Sequence, residues 1–181
     1  MLPFETARLS MRLLRDSDQA LYCKCYNDPL LMTHIGEPLS AKAAVRSFSA
    51  AQIMNSALPI HRRTWVMQVK QTQVDIGFLA LVFCQTDAYP ARADIGAIIL
   101  SEFQNNGFAA EAISSLVDVA FSNTTVEVLS TQHASCNAAA NGLMEKLGFQ
   151  IEEPLPENRL VRDWILHHSD WQKDLNPSSA L

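Results

Sequence analysis

Residues 94–120 read DIGAIILSEFQNNGFAAEAISSLVDVA, and this stretch decides most of the fold prediction. Residues 94–100 are dense in apolar and β-branched side chains, which is typical of a strand buried on both faces. A short polar turn follows, and from Ala109 onward apolar residues recur at helical spacing. These are Ala112, Ile113, Leu116, Val117, Ala120 and Phe121. The stretch therefore predicts a strand, a tight turn and an amphipathic helix in direct succession.

The turn has the composition of an anion-binding loop. Gly107 permits close backbone approach, and a helix that begins at Ala109 presents unpaired N–H groups at its start. Those groups and the helix dipole together favour a phosphate. Glycine also occurs in ordinary connections between strands and helices, so the turn alone leaves both interpretations open.

Composition predicts one globular domain over residues 1–181, because 48% of the residues are hydrophobic and 18% are charged. A formal net charge of -5 disfavours a mainly electrostatic contact with nucleic acid. No apolar run approaches the roughly 20 residues of a membrane span, and the N-terminus is too polar for a signal peptide. We therefore expect a cytoplasmic location and no membrane contact.

The four cysteines are Cys23, Cys25, Cys84 and Cys136. They lack the CxxC spacing of zinc sites, and the cytosol is reducing, so buried free thiols are expected. The same spacing argument predicts no metal site.

Apolar periodicity predicts the elements on either side of the central stretch. Ahead of it are a strand over 6–14, helices over 16–27 and 41–55, a loop or irregular helical turn over 30–39, paired strands over 63–70 and 74–84, and a turn over 86–91. Behind it are a strand over 126–133, a helix over 138–147, and strands over 148–152 and 159–167. The predicted N-caps are Asp16 with Gln19, Ser40 and Asn137. Three strands followed by a helix predict a mixed sheet with an antiparallel front half, and the strand after that helix should pair in parallel.

Three segments carry a resemblance to a known family. Gln104-x-x-Gly107-x-Ala109 resembles the Gln/Arg-x-x-Gly-x-Gly/Ala signature of the GCN5-related N-acetyltransferases, the GNAT family, in which this turn grips the pyrophosphate of acetyl-coenzyme A. The run EFQNNGFAAEA over 102–112, the opening ETARL over 5–9 with Asp28-Pro29, and the segment from Asn137 to Phe149 resemble the ribosomal-protein N-terminal acetyltransferase-like branch. One departure is Asn106, which stands where lysine is common, so backbone donors are expected to do more of the phosphate binding.

The resemblance implies an α+β fold with a central, mixed, mostly antiparallel twisted sheet of about seven strands and about four helices. It implies direct transfer of an acetyl group from acetyl-coenzyme A, without a metal, to a primary amine in a ternary complex. The acceptor is a protein N-terminal α-amine, such as that of a ribosomal protein, or a small amine. An α-amino group with a pKa near 8 is an easier acceptor than lysine, whose pKa lies near 10.4. A monomer and a homodimer both remain open.

The resemblance also implies the coenzyme-binding residues. The backbone of Ile98, Ile99 and Leu100 would hold the pantetheine arm. The pyrophosphate would lie on the turn, which comprises Gln104, Asn105, Asn106, Gly107, Phe108 and Ala109. Asn137 would contact the arm, or serve only as a helix cap.

Two residues are candidate catalytic bases. Asp94 takes the place where relatives often carry a glutamate that relays a proton through water, or it is a solvated carboxylate at a strand end. His133 titrates in the right range, or is a packed histidine.

The general acid is missing from its usual positions. Ala140 and Met144 stand where relatives carry a serine and a tyrosine, and neither can donate a proton. Water, Ser135 or Cys136 would then protonate the thiolate, or it leaves unaided. The alternative function is a catalytically weak or inactive protein of this fold that binds coenzyme A.

Overall fold

A computed structural model of the chain describes residues 2–84, 91–152 and 160–175. This part contains one eight-stranded sheet in the order β1-β2-β3-β4-β5-β6-β8-β7. The strands are β1 (Phe4–Glu5), β2 (Leu9–Leu13), β3 (Arg62–Val69), β4 (Asp75–Phe83), β5 (Arg92–Ile99), β6 (Val128–Ala134), β7 (Gln150–Ile151) and β8 (Val161–His167). Every neighbouring pair is antiparallel except β5 and β6, which are parallel. The predicted α+β class and the mostly antiparallel mixed sheet are confirmed.

The helices of the described part are α1 (Gln19–Asn27), α2 (Pro29–Met32), α3 (Ala41–Ser56), α4 (Phe108–Asn123), α5 (Ala138–Lys146) and α6 (His168–Leu175). Short 3-10 turns, Asp16–Asp18 and Ser101–Phe103, precede α1 and α4. The described part has one strand (β1) and two helices (α2 and α6) more than predicted. Helix α2 overlaps the start of the segment predicted as a loop or irregular helical turn. It forms because Pro29 suits a first helical position and the Asp28 carboxylate accepts from the Leu30 N–H at 2.8 Å. Asp28-Pro29 thus ends one helix and begins another.

The sheet has two differently covered faces. Helix α4 buries all six predicted apolar residues in a cluster with Trp65 and Leu79, and α5 adds Met144 to it. Helices α1 and α3 cover the other face, where Tyr22 and Phe48 join Val66 and Phe78. Because Trp65 and Val66 are consecutive in β3, the two clusters lie on opposite faces. We call these the α4 face and the α1/α3 face.

The prediction that the central strand is buried on both faces holds for Ile98, Ile99 and Leu100 but fails over 94–97. Asp94, Gly96 and Ala97 are exposed, while Ala93 and Ile95 are buried. Helices α1 and α3 pack against β4 and β3, respectively. The part of β5 that carries Asp94 and Gly96 is therefore open to solvent.

The first helix is capped differently from the prediction. The Arg15 N–H donates to the carboxylate of Asp18 at 2.7 Å, and Asp16 instead accepts from the side chain of Gln52 at 2.6 Å. Arg12 donates to both oxygens of Asp18 at 2.8 Å. A buried ion pair with Arg12 therefore fixes Asp18 as the capping carboxylate. Ser40 caps α3 and Asn137 caps α5, as predicted.

All four cysteines are free thiols, as predicted, but only Cys25 is buried. Cys23 and Cys84 are half-buried and Cys136 is exposed. Apart from Ala91, the predicted turn over 86–91 lies outside the described residues, as does the first residue of the predicted strand over 159–167. None of the helices in the described ranges is long and apolar enough to cross a membrane.

Candidate active site

Strands β5 and β6 separate soon after they meet. They pair at three positions, Arg92 with Val128, Ala93 with Leu129 and Asp94 with Ser130. On its other side β5 stays paired with β4 as far as Ile99. Residues 95–99 therefore border a wedge between two strands of the described chain, and their backbone groups on that side can bind an extended ligand.

The backbone of β5 directs specific groups into this wedge. The Leu100 N–H donates to the Ile76 carbonyl at 2.9 Å, and the Ile98 carbonyl faces Gly77, so both point toward β4. Backbone groups of consecutive strand residues point to alternate sides. The Ile99 N–H therefore points toward the wedge, on the side where the Ile99 carbonyl accepts from the Gln104 side chain at 2.9 Å.

The turn after β5 is held in a specific conformation. Asn105 and Gly107 have left-handed φ angles of 60° and 77°. The Asn106 side chain donates to the carbonyl of Gln104 at 2.9 Å, and this hydrogen bond stabilises the turn. Helix α4 begins at Phe108, one residue earlier than predicted, and Gly107 is its N-cap without a capping side chain.

The first backbone N–H groups of α4 have no acceptor within the helix. The Glu111 N–H donates to the Gly107 carbonyl at 3.1 Å, which closes the first helical hydrogen bond. The N–H groups of Phe108, Ala109 and Ala110 precede that bond and have no helical partner. They form a donor cluster suited to an anion.

A residue that sequence reasoning missed also contacts the turn. Arg8, in the connection between β1 and β2, donates to the Asn106 carbonyl at 2.9 Å and forms an ion pair with Glu111 at 2.5 Å. The absence of a basic residue in the turn was visible in the sequence, but it led to the prediction that backbone donors bind the phosphate. Nothing in the sequence pattern indicated that Arg8 contacts the turn.

A cavity of about 410 Å³ opens where β5 and β6 separate. Its lining includes Asp94 and Ser130, the last registered pair, together with Arg92 and Asp163. The Ser130 hydroxyl donates to the Asp94 carboxylate and accepts from Arg92 Nε at 2.8 Å. Arg92 also forms a bidentate ion pair with Glu152 at 2.8 and 2.9 Å. Asp94 is therefore an oriented carboxylate in a cavity and not merely a solvated strand end.

Cys84 contributes a thiol to the same cavity. Its sulfur lies 3.8 Å from an Asp94 oxygen. Burial raises the pKa of the Cys84 thiol, and the negative charge of Asp94 raises it further. The thiol therefore stays protonated near neutral pH and donates to Asp94.

His133 lies away from Asp94. It is three residues beyond Ser130 in β6, so its side chain projects from the α4 face, opposite to that of Asp94. Its ring stacks on Trp164 with centroids 5.9 Å apart, and Nε2 lies 3.0 Å from Asn141 Oδ1. Because Asn141 Nδ2 donates to the Ser135 carbonyl at 3.0 Å, Oδ1 must face the ring, and His133 Nε2 is the donor. Burial lowers the pKa of His133, which keeps the ring neutral near pH 7.

The start of α5 holds the remaining candidates. Asn137 Oδ1 accepts from the Ala140 N–H at 3.1 Å, which is the capping interaction, and its Nδ2 can still donate to a ligand. Met144 is buried and Ala140 is half-buried. The Ser135 hydroxyl donates to the Leu160 carbonyl at 3.2 Å, while the neighbouring Cys136 is exposed.

Comparison with known proteins gives one family and several relatives. Residues 8–150 match a family model described as an acetyltransferase (GNAT) domain. The uncharacterized N-acetyltransferase YoaA of Bacillus subtilis (strain 168) is 29% identical over 150 residues, which are 82% of this chain and 82% of that protein.

Two solved structures show the same fold. A spermidine N-acetyltransferase from Vibrio cholerae, in complex with CoA and spermine, has a TM-score of 0.75 and 22% identity over 92% of this chain and 99% of that chain. The ribosomal L7/L12 α-N-protein acetyltransferase RimL, in complex with coenzyme A, has a TM-score of 0.73 and 13% identity over 90% of this chain and 95% of that chain. At these identities the likeness concerns the fold alone.

Proposed function

The chain belongs to the GNAT acetyltransferase family, and from this premise we propose that it transfers the acetyl group of acetyl-coenzyme A directly to a primary amine in a ternary complex. One observation carries the proposal. The wedge between β5 and β6 ends at a cavity that contains Asp94, and it lies beside the donor cluster at the start of α4. A single domain over 1–181 would carry the whole reaction.

The coenzyme would bind through backbone groups. Its pyrophosphate would accept hydrogen bonds from the turn over 104–109 and from the N–H groups that begin α4. Its pantetheine arm would lie along 98–100 in the wedge, with the Ile99 N–H as a donor to the arm, since Leu100 already donates to Ile76. A wedge-facing backbone N–H nearer Asp94 would donate to the thioester oxygen, and such a donor is typically worth about 100- to 1000-fold in rate. Asn137 would contact the arm through Nδ2.

Asp94 would accept the amine proton through a bound water. The amine nitrogen attacks the thioester carbonyl carbon, the carbon–sulfur bond breaks, and one proton leaves the nitrogen for the water beside Asp94. Coenzyme A departs as a thiolate and is protonated by solvent, because Ala140 and Met144 offer no proton. His133 would lie on the side of the coenzyme, because its side chain projects from the α4 face, and we therefore propose Asp94 as the base.

The acceptor would be a protein N-terminal α-amine or a small amine. The resemblance of 102–112 and 137–149 to the ribosomal-protein branch supports the first, and the fold shared with an enzyme named for spermidine supports the second. The cavity at Asp94 opens on the face where α1 and α3 lie, and residues 31–60 between and within these helices would therefore shape the acceptor mouth.

A thiol-release assay tests the proposal. The purified protein is mixed with acetyl-coenzyme A and, in turn, with ribosomal-protein N-terminal peptides, spermidine and a lysine side-chain analogue, and free thiol and acetylated product are measured. The expected result is turnover on at least one amine, with the product heavier by one acetyl group. If calorimetry detects coenzyme A binding but no amine is acetylated, the protein is instead a coenzyme-binding member of the family without catalysis. The missing proton donors at Ala140 and Met144 favour that second candidate.

A further inference from the structure

Arg8 makes three contacts with the turn over 104–109 and the first turn of α4. Its Nη1 donates to the Asn106 carbonyl at 2.9 Å, and its Nε donates to the Glu111 carboxylate at 2.5 Å. Its guanidinium carbon lies 4.6 Å from the centroid of the Phe108 ring. A side chain 98 positions away in sequence thus spans the end of the turn and the first turn of α4.

Glu111 is the second anchor of this contact. Besides the Arg8 side chain, the Thr6 hydroxyl donates to it at 2.5 Å and the Arg8 N–H at 2.8 Å. Partial burial favours the neutral carboxyl, but the hydrogen bonds from Thr6 and Arg8 outweigh it and lower the pKa of Glu111. The carboxylate is therefore ionised, and the connection between β1 and β2 is tied to α4 by charged hydrogen bonds, which are stronger than neutral ones.

Arg8 compensates negative charge near the turn. The segment over 101–111 contains Glu102 and Glu111 but no lysine or arginine, and Glu102 is already paired with Lys24 at 2.9 Å. A diphosphate bound at the start of α4 would lie within one helical turn of the Glu111 carboxylate, and like charges at that distance repel. Arg8 offsets Glu111. Its Nη2 also lies 3.3 Å from the point that a Cβ on Gly107 would occupy, so part of the positive charge sits directly beside the turn.

On the premise of the function proposed above, we propose that Arg8 is a positioning residue of the coenzyme site. It holds the backbone of 106–108 in its phosphate-binding conformation and neutralises Glu111 beside it. Binding of the pyrophosphate end of the coenzyme depends on Arg8. Binding of the pantetheine end, which lies along β5, does not.

Calorimetry with two ligands tests this division. Coenzyme A contains both the pyrophosphate and the pantetheine arm, whereas pantetheine consists of the arm alone. The Kd of pantetheine is measured by displacement. For Arg8→Ala we expect the Kd of coenzyme A to rise about tenfold or more, which is the effect of losing a charged hydrogen bond, while the Kd of pantetheine stays at the parent value. Arg8→Lys keeps the charge but lacks the fixed pair of donors that reaches Asn106 and Glu111, so its Kd should fall between those of the parent and Arg8→Ala.

The matched control is Arg15→Ala. Arg15 is an exposed arginine beyond the opposite end of β2, so the variant loses the same charge without touching the turn. It should bind coenzyme A as the parent does. Thermal unfolding of each variant identifies any that does not fold, and Arg8→Lys then carries the comparison.

Two results would overturn the inference. One is a parent-like Kd of coenzyme A in a folded Arg8→Ala variant, and the other is an equal loss of affinity for both ligands. If the parent protein itself does not bind coenzyme A, the proposed function fails and the role of Arg8 fails with it. The parent titration therefore separates the two failures.

Discussion

Asp94 and Ser130 face each other across β5 and β6 at the last position where these parallel strands pair, and the Ser130 hydroxyl donates to the Asp94 carboxylate. The strands separate immediately beyond this pair. The carboxylate is thus fixed at the closed end of the wedge, where the reacting end of a ligand in the wedge would lie. Arg92 fixes Ser130 in turn, through Nε at 2.8 Å.

The first prediction concerns Asp94 as the base. Replacing it by asparagine keeps the shape and the hydrogen bond from Ser130 but removes the proton acceptor. We expect Asp94→Asn to lower kcat about 100-fold, the lower end of what general base catalysis contributes. Calorimetry should give an unchanged Kd for coenzyme A, because the coenzyme is proposed to bind through backbone groups at 98–109.

Ser130→Ala is the companion variant. It keeps the carboxylate and removes the group that orients it, so its kcat should fall less than that of Asp94→Asn. A kcat for Asp94→Asn within twofold of the parent would show that the carboxylate takes no part in proton transfer.

The second prediction concerns His133 and stability. Because burial lowers the pKa of His133 in the folded state, the unfolded chain binds more protons below its own pKa near 6.5. The free energy of unfolding should therefore be constant above that pH and fall as the pH decreases from about 6.5 toward the lower folded-state pKa, with a slope of at most about 1.4 kcal/mol per pH unit.

Urea unfolding at several pH values between 5 and 8 measures this slope. In His133→Gln the side-chain amide can still donate to Asn141 but does not titrate, so its slope over the same window should be smaller. If the variant and the parent lose stability in parallel as the pH falls, other groups cause the dependence.

The third prediction uses the packing of Gly77 against β5. A Cβ on Gly77 would lie 2.0 Å from the Ile98 carbonyl oxygen, and the φ angle of 156° is one that side chains rarely adopt. Gly77→Ala must therefore push β5 away from β4 just where the coenzyme arm is proposed to bind. We expect a loss of about 2 kcal/mol or more in the free energy of unfolding.

Gly96→Ala is the control for Gly77→Ala. Gly96 lies on the neighbouring strand, and a Cβ there would meet no atom within 4 Å. Its free energy of unfolding should stay within about 0.5 kcal/mol of the parent, as for a surface change. Equal losses in the two variants would mean that the Ile98 contact is not the cause.

Local periodicity explains why the central stretch could be predicted. The six apolar residues of α4 recur at helical spacing, and all six are buried. The strand before it and the turn follow from the same short run of sequence, and the parallel pairing of β6 follows from the helix that precedes it. None of these features needs information from distant parts of the chain.

The features of the site that were not predicted depend on contacts between segments distant in sequence. The exposure of Asp94 reflects which strands α1 and α3 cover, and the separation of Asp94 from His133 follows only from the register that pairs Asp94 with Ser130. The contact of Arg8 with Asn106 joins residues 98 positions apart. Side-chain patterns within one element do not encode such relations, which is why the residues were predicted individually but their grouping was not.

The last prediction concerns Gly107, on which the phosphate site depends. Its φ angle of 77° is left-handed, which costs an ordinary residue roughly 1–2 kcal/mol, and a Cβ would also lie 3.3 Å from Arg8 Nη2. The Kd of coenzyme A should rise about tenfold in Gly107→Ala and further in Gly107→Trp, whereas Gly107→Asn should lose least because asparagine tolerates this conformation. Gly36→Ala, at a glycine with no atom within 4 Å of its Cβ position, should bind as the parent does. Parent-like affinity in Gly107→Trp would place the pyrophosphate away from residues 104–109, and the proposed function would then lose its main support.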